Sequence, residues 1–469
     1  MKAVKRRFEQ FLFYDYTSIE RHLERMAAKG WQLQKITRFY WEYRRTEPQR
    51  LTYTVTYFSE ASEFNPYPTE NQQTFREYCK DAGWNPVAEW AQMQIFCTER
   101  ENPTPIETEE SIKLKAIHRA MKKNFLPSSV VLLLLSLTQG YLQLHMIMSD
   151  PVEQLSLGLS LFLAITWCIL IIQTLFSLIG YAVWYRKSQK SVRMGGPCAE
   201  SGSGYKKLFH ILTGIVVVLL ALAISTFATS TRSYIGGAIL GLINITVVIV
   251  LVFTIKNALK RAKASRKVNL TVTMVSCAIL SIVLTGAMTW CIIRGVNAGW
   301  FGNKSADTYT TMQPNGATYT WDIYHDPLPL KVEDLQNVDY EHYSCEWTAR
   351  ESFLLAQYVA RQDSFPDGQF APELNYSIVD VKFPALFNLC LDDYLNRYHY
   401  ERNMPEEDRR YFRQTEDPSW QADAVYQLYR GDEGMSEYIL CWDARIVCID
   451  FDEIPTAEQI AIAVEKLCK

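Results

Sequence analysis

Val130-Val-Leu-Leu-Leu-Leu-Ser-Leu137 and Gly214-Ile-Val-Val-Val-Leu-Leu-Ala-Leu-Ala-Ile-Ser225 are apolar on every side, so neither reads as an amphipathic surface helix. A bilayer crossing needs roughly 20 residues of helix. Working outward from these two runs, five stretches reach that length: Phe125–Met148, Leu155–Tyr185, Leu208–Thr229, Tyr234–Ile255 and Val268–Ile293. The expected architecture is therefore an α-helical transmembrane bundle of about five spans over residues 125–293. Two α+β domains flank it, at 1–100 and 294–469, and a linker with a basic juxtamembrane helix occupies 101–124.

Orientation follows from lysine and arginine in the connecting loops. Lys113, Lys115, Arg119, Lys122 and Lys123 precede the first expected span. Arg186, Lys187, Lys190, Arg193, Lys206 and Lys207 lie between the second and third, and Lys256, Lys260, Arg261, Lys263, Arg266 and Lys267 between the fourth and fifth. The opposite loops offer Arg232 alone among cations, with Asp150 and Glu153. Multi-pass insertion with the N-terminus in the cytoplasm and the C-terminus outside is the expected topology. The first residues, MKAVKRRFEQFLFYDY, lack an apolar core and a small-residue cleavage site, so no signal peptide is read there. Trp184, Tyr185 and Trp290 fall near span ends, at headgroup level.

Net charge is -3, yet that near-neutral value hides three environments. Residues 1–100 balance at +2, residues 101–293 at +11, and residues 294–469 carry 15 Lys/Arg against 31 Asp/Glu, or -16. Phosphate would be repelled by the acidic third, so no direct nucleic-acid binding is expected there. Within the five spans there is no Asp, Glu, Lys or Arg, which argues against an ion-coupled pump, since such proteins keep ionisable groups at mid-membrane. Gln139, Gln143, His145, Gln173 and Asn244 are the polar exceptions; Gln173 and Asn244 read as interhelical hydrogen-bonding residues. Gly237 and Gly241 make one G-x-x-x-G, read as close packing in the bundle.

Aromatic residues are dense in the first hundred, about twenty in number. Alternation and 3.6-residue periodicity predict a strand near 8–14, a helix at 17–29 and strands at 31–36, 38–45 and 51–58. A helix at 70–82 and strands at 84–90 and 92–98 follow. Gly30-Trp31 and Gly83-Trp84 each end a helix and open a strand, with glycine as the left-handed cap. This echo suggests a duplicated helix-Gly-Trp-strand unit and an α+β sandwich with one sheet covered by two helices. Trp41, Tyr43 and Trp90 could form a stacking platform for a ligand, or fill the core.

Those residues carry a resemblance. Arg21-His-Leu-Glu-Arg-Met-Ala-Ala-Lys-Gly-Trp-Gln-Leu33, Phe39-Tyr-Trp-Glu-Tyr43, Tyr53-Thr-Val-Thr-Tyr57 and Glu77-Tyr-Cys-Lys-Asp-Ala-Gly-Trp84 resemble the bacterial domain of unknown function DUF2812. The likeness covers roughly the first hundred residues. It implies a bacterial cell-membrane setting, with this domain joined to several spans and genes beside PadR-type repressors. It assigns no activity and no catalytic residue.

In the last third, strands are expected at 319–324, 344–349, 354–361, 376–382, 424–429, 438–442 and 446–451, with helices at 385–400 and 456–467 and a charged loop at 405–418. Thr456 and Gln459 have capping-box spacing. The eleven cysteines include no C-x-x-C; Cys441 and Cys448 could bridge a hairpin turning at Ala444-Arg445, or stay as buried thiols. His325-Asp326, Glu341-His342, His399-Tyr-Glu401, Asp392-Asp393 and Asp450/Asp452 bring polar groups together, but none has a third ligand at metal spacing. No P-loop, H-E-x-x-H, G-x-S-x-G or EF-hand pattern occurs, so no catalytic residue, metal or cofactor is expected. The layout favours a non-enzymatic signalling or regulatory protein whose partners are the bilayer and an envelope ligand or partner membrane protein; the resemblance to DUF2812 implies in addition a regulatory link to a PadR-type repressor. A channel, exporter or transport accessory subunit for an uncharged or amphiphilic solute is the alternative, and an envelope-facing enzyme the second.

Overall fold

The structure, a computed structural model, describes all residues except 1–3, 10, 38–39, 124, 201–202, 231, 298–306, 313–317, 339–342, 365–371 and 469. Of 203–206, 224–230, 232–243, 245, 296–297, 311–312, 319 and 364 the backbone alone is described. The chain folds as two compact units, 1–139 with 166–218 and 240–291, and 140–165 with 219–239 and 292–469.

In the first unit, strand β1 (Val4–Arg7) precedes helix α1 (Tyr16–Ala28). Tyr16, Ile19, Leu23, Met26 and Ala27 form the buried stripe of α1. Strands β2 (Trp31–Ile36), β3 (Trp41–Arg45) and β4 (Thr52–Tyr57) follow, then α2 (Glu70–Asp81), β5 (Asn85–Trp90) and β6 (Met93–Thr98). Two separate antiparallel sheets result, ordered β1-β3-β2 and β4-β6-β5. This corrects the expected single sheet under two helices. Each sheet is built by a strand, a helix, a glycine and a hairpin, and the lone strand pairs with the second arm of its own hairpin. Even the irregularities repeat: register shifts between Leu33 and Lys35 in β2, and between Pro86 and Ala88 in β5. Those shifts begin three residues after Gly30 and Gly83, which take φ of +74° and +91°. The predicted strand at 8–14 is also corrected. There the chain turns, with Asp15 N donating to Leu12 O at 2.9 Å, and wedges Leu12, Phe13 and Tyr14 into the core. Helix α3 (Glu110–Lys123) adds Leu114, Ile117, Ala120 and Met121 to the same core.

Helices α4 (Phe125–Ser149), α5 (Pro151–Ser156), α6 (Gly158–Arg193), α7 (Ser203–Ser230), α8 (Arg232–Arg261) and α9 (Arg266–Asn297) follow. Among the described residues three helices are long and apolar enough to cross a membrane, not five: Glu110–Ser149, Gly158–Arg193 and Arg266–Gly295. Lys207–Ala223 is the apolar part of α7 whose side chains are described. The expected span at 234–255 falls on α8, where 234–243 and 245 are described by backbone alone, and Gly237 and Gly241 lie there too. Val131, Leu134 and Leu135 on α4 are 56–59% exposed. Apolar groups turned outward in that density call for an apolar solvent, which lipid supplies.

In the second unit, strands β7 (Asp307–Met312) and β8 (Thr318–Ile323) form a ribbon, followed by the short α10 (Val332–Leu335). The main sheet comprises β9 (Tyr343–Glu351), β10 (Leu355–Ser364), β11 (Leu374–Val381), β12 (Arg410–Thr415), β13 (Ala424–Arg430), β14 (Glu433–Trp442) and β15 (Arg445–Phe451). It is antiparallel throughout, ordered β12-β13-β14-β15-β11-β10-β9. Helix α11 (Phe387–Leu395) precedes β12, and α12 (Ala457–Leu467) closes the chain. On one face Tyr376, Leu440 and Ile449 pack with Ile460, Ala463 and Leu467 of α12. On the other, Val379, Ile439, Ile446 and Cys448 pack with Cys390 and Tyr394 of α11 and with Val152 and Leu155 of α5. Burial of both faces explains why β14 and β15 are written as continuous apolar runs.

Three further expectations change here. The charged loop at 405–418 contains β12, an edge strand whose arginines suit an unpaired rim. The helix expected at 385–400 is divided into a 3-10 turn (Pro384–Leu386), α11 and a second 3-10 segment (His399–Asn403). Cys441 and Cys448 are free and buried. The β14–β15 turn sits at Asp443-Ala444, so Cys441 faces Ile446 and Cys448 faces Ile439; the two thiols are out of register.

Candidate functional site

The polar centre of the second unit forms where α11 ends. The turn that leaves α11 and the 3-10 segment after it deliver Arg397, Tyr398 and Glu401 onto the sheet, where Glu437 of β14 lies buried. Glu437 accepts from Arg397 Nη1 at 2.7 Å, Tyr398 OH at 2.8 Å and Cys448 Sγ at 3.3 Å. Arg410 of β12 donates Nε to Glu401 Oε1 at 3.0 Å, and its guanidinium lies 4.1 Å from the Tyr398 ring centroid. A buried carboxylate with its partners supplied is held rigidly. Burial pushes the Cys448 thiol well up, so it is no thiolate nucleophile. Burial and then Glu437 push Asp450, opposite on β15, up to about 6.

Two cavities adjoin the partners of Glu437, one lined by Tyr398 and the other by Arg397. One, of 1110 Å³, lies between the 3-10 segments and the β13–β14 turn. Arg402, Arg409, Glu406, Glu407, Asp432 and Glu433 line it, while Arg410 and Arg430 on its wall are occupied by Glu401 and Asp408. Carboxylates therefore outnumber uncommitted guanidinium groups in the cleft. The other, of 750 Å³, is walled by α5 and α11 and includes Asp150, Glu153, Asp392 and Asp393. There α5 is fastened: Val152 N donates to Asp393 Oδ2 at 3.2 Å, Ser352 Oγ to Leu155 O at 2.6 Å, and Arg350 pairs with Glu153 at 2.9 Å. Leu161, near the start of α6, belongs to the same core.

A second fastening lies in the first unit. Tyr181 and Trp184, near the end of α6, are buried with Tyr14 at the junction of β1 and α1. The Tyr14 ring lies 5.0 Å from Trp184 and 5.4 Å from Tyr181. Trp184 Nε1 donates to Ala199 O at 2.6 Å, Cys198 N to Glu110 Oε2 at 3.0 Å, and Ala199 N to Ser188 Oγ at 3.0 Å. His118 of α3 meets Tyr181 OH at 2.7 Å.

Residues singled out by sequence fall as follows. Gln173 of α6 donates to Thr213 Oγ1 of α7 at 2.7 Å. Asn244 is half-buried on α8, with no side-chain hydrogen bond among the described residues. Gln143 of α4 donates to Ser160 Oγ of α6 at 2.7 Å. Trp84 is buried and donates to Thr104 O at 2.8 Å, whereas Trp31 is half-buried between Lys5 and Arg45. Trp41 and Tyr43 are core residues, which removes them from a stacking platform. His325 faces Asp307 at 3.6 Å, while its neighbour Asp326 accepts from Trp347 N at 3.0 Å. His399 Nδ1 lies 3.0 Å from Asn396 O, and Asp452 accepts from Glu373 N at 3.0 Å. Glu341 and His342 lie outside the described residues. Among the described residues no group of three or more His, Cys, Asp or Glu could hold a metal ion. Sequence reasoning passed over Glu437 and Tyr14, read Asp393 only beside Asp392 and read Trp184 only as a ring at headgroup level; partners up to 241 positions away leave no local signal.

Residues 15–128 match the family described as "Protein of unknown function (DUF2812)". That segment runs from the start of α1 through α3 into the first turn of α4, and so contains both helix–hairpin repeats apart from β1. No curated protein and no solved structure matches the chain.

Proposed function

We propose that this chain is a non-enzymatic regulatory membrane protein that couples an extracytoplasmic binding domain to a cytosolic domain. The carrying observation is α6, one uninterrupted helix from Gly158 to Arg193. Leu161 near its start belongs to the C-terminal core, and Tyr181 and Trp184 near its end belong to the N-terminal core. A helix held at both ends transmits a displacement, because packed cores have discrete arrangements rather than continuous ones. The basic loops support the N-terminal domain in the cytoplasm and the acidic domain outside.

The 1110 Å³ cleft, lined by both arginines and carboxylates, supports a zwitterionic polar ligand. The rigid, hydrogen-bonded carboxylates favour binding over catalysis, since the one thiol beside Glu437, Cys448, is buried and held protonated. A PadR-type repressor is the downstream partner we propose.

The test loosens the outer fastening in the full chain in lipid nanodiscs. Asp393→Asn with Ser352→Ala removes the carboxylate that holds Val152 N and the hydroxyl that holds Leu155 O. Hydrogen exchange is then read at 110–123 and 181–199. Altered protection there, with changed transcription of adjacent genes in cells, is expected. Unchanged protection and unchanged transcription would defeat coupling.

A further inference from the structure

A cavity of 380 Å³ in the first unit has a chemistry that the regulatory reading does not use. Its walls come from the end of β2, the loop at 61–68, the β5–β6 turn and the last turns of α8. Along α8 the apolar run ends at Ile255, and Lys256 and Lys260 follow on the side lining the cavity. The cavity therefore opens where an apolar helix changes to its basic end, the place a lipid headgroup occupies.

Its charges are unequally committed. Lys256, with 15% of its side chain exposed, pairs with Glu63 at 3.2 Å and lies 5.0 Å from the Phe253 ring centroid. Glu89 is taken by Arg76, and accepts from Gln72 Nε2 at 2.9 Å and Gln94 Nε2 at 3.3 Å. Both carboxylates on the wall are thus neutralised. Lys35 and Lys260 have no carboxylate partner among the described residues. Asn65 adds the second observation: it is 8% exposed, lines the cavity, and its Nδ2 has no acceptor. A buried donor left unmatched is costly, so an acceptor belongs beside it. The loop carrying Asn65 is fixed by Asn269 Nδ2 donating to Phe64 O at 3.1 Å. Ala91 at the β5–β6 turn holds φ of +52°, a left-handed conformation kept on the cavity wall.

We infer that this cavity binds a phosphate group, contributed by the headgroup of an anionic phospholipid. Two uncommitted ammonium groups and an amide donor line one cavity, a set that suits an anion with several acceptor oxygens. Trp90 on the wall provides the amphipathic ring that suits the interface.

The full chain is taken from mixed micelles of phosphatidylglycerol and phosphatidylcholine, and retained lipid is counted by native mass spectrometry. One phosphatidylglycerol is expected to be retained in preference to phosphatidylcholine, with slower hydrogen exchange at 61–68. Lys35→Gln with Lys260→Gln, both on accessible side chains, is expected to lower retention about tenfold or more. Asn65→Leu, which removes the unmatched donor, is expected to lower it too. Removing two charges elsewhere, by Lys187→Gln with Lys190→Gln, is expected to leave it unchanged. Inorganic phosphate in plain detergent separates the sources: protection of 61–68 by phosphate that is lost in the Lys35/Lys260 variant keeps the phosphate site and assigns it to a soluble ligand. Equal retention of the two lipids with no effect of phosphate, or equal loss from both double variants, would overturn the inference.

Discussion

Replacing Trp184 by alanine tests the inner fastening most directly. The side chain is 95% buried, its ring lies 5.0 Å from that of Tyr14 and 6.0 Å from that of Tyr181, and its N–H donates to Ala199 O at 2.6 Å. Truncating a buried tryptophan costs about 3–5 kcal/mol through lost transfer energy and the cavity left behind. Ala199 is half-buried, so water can replace the lost donor, and the lower end of about 3 kcal/mol applies. At about 1.4 kcal/mol per tenfold, local opening becomes roughly 100-fold more frequent. The reporters are built in, because Cys198 N is held by Glu110 and Ala199 N by Ser188. Their amide exchange in the full chain should quicken about 100-fold, while amides of β11, β14 and β15 keep their rates as the internal control. Trp184→Phe keeps an aromatic ring and loses the hydrogen bond, so about tenfold is expected. If Cys198 and Ala199 exchange within about twofold of wild type in Trp184→Ala, with the sheet amides intact, the fastening is not energetic and the coupling reading fails with it.

Three other outcomes follow from the geometry. Burial raises the Glu20 carboxyl from 4.5 to about 7, against the lowering effects of Lys113 and of the bond from Val55 N. Its proton is held more tightly in the folded form, so this contribution is fully present below about pH 4.5 and is lost as pH rises through 7. Glu107 behaves alike. Glu20→Gln should raise the stability of the N-terminal domain at pH 7.5 by about 1–2 kcal/mol and flatten its pH dependence in thermal melts; a steeper dependence would contradict the burial argument. Gly30→Ala places a Cβ 2.7 Å from the backbone oxygen of Thr46 at φ +74°, whereas Gly83→Ala meets the movable guanidinium of Arg100. The first should cost about 2–3 kcal/mol and the second about 1 kcal/mol in denaturant titrations, and a reversed order would refute the assignment. Arg397→Leu leaves Glu437 buried without its cation; since 43% of the arginine side chain is exposed, water offsets part of the loss and about 2 kcal/mol is expected from exchange of β14 amides. The double change Arg397→Leu with Glu437→Met should cost less than the single one.

Local periodicity and turn chemistry were readable one window at a time. The stripe Ile19, Leu23, Met26 and Ala27 places a helix at 17–29, and the structure has it at Tyr16–Ala28. The alternation in Leu51–Tyr57 places a strand, and β4 is there. Thr456 and Gln459 announce the start of α12, whose capping box is formed. Capping, 3.6-residue stripes and 2-residue alternation act between neighbours in sequence, so the letters by themselves decide them. Strand partners and burial of shared surfaces act between residues far apart. Only the folded chain divides six N-terminal strands into two sheets, sets Cys441 out of register with Cys448, and seats α5 against residues some 200 positions later. Among the described residues three helices are long and apolar enough to cross a membrane, fewer than the five hydrophobic runs suggested. The buried pair of Arg397 and Glu437 belongs to the same class: its two charges are polar letters in separate elements until packing removes the water between them.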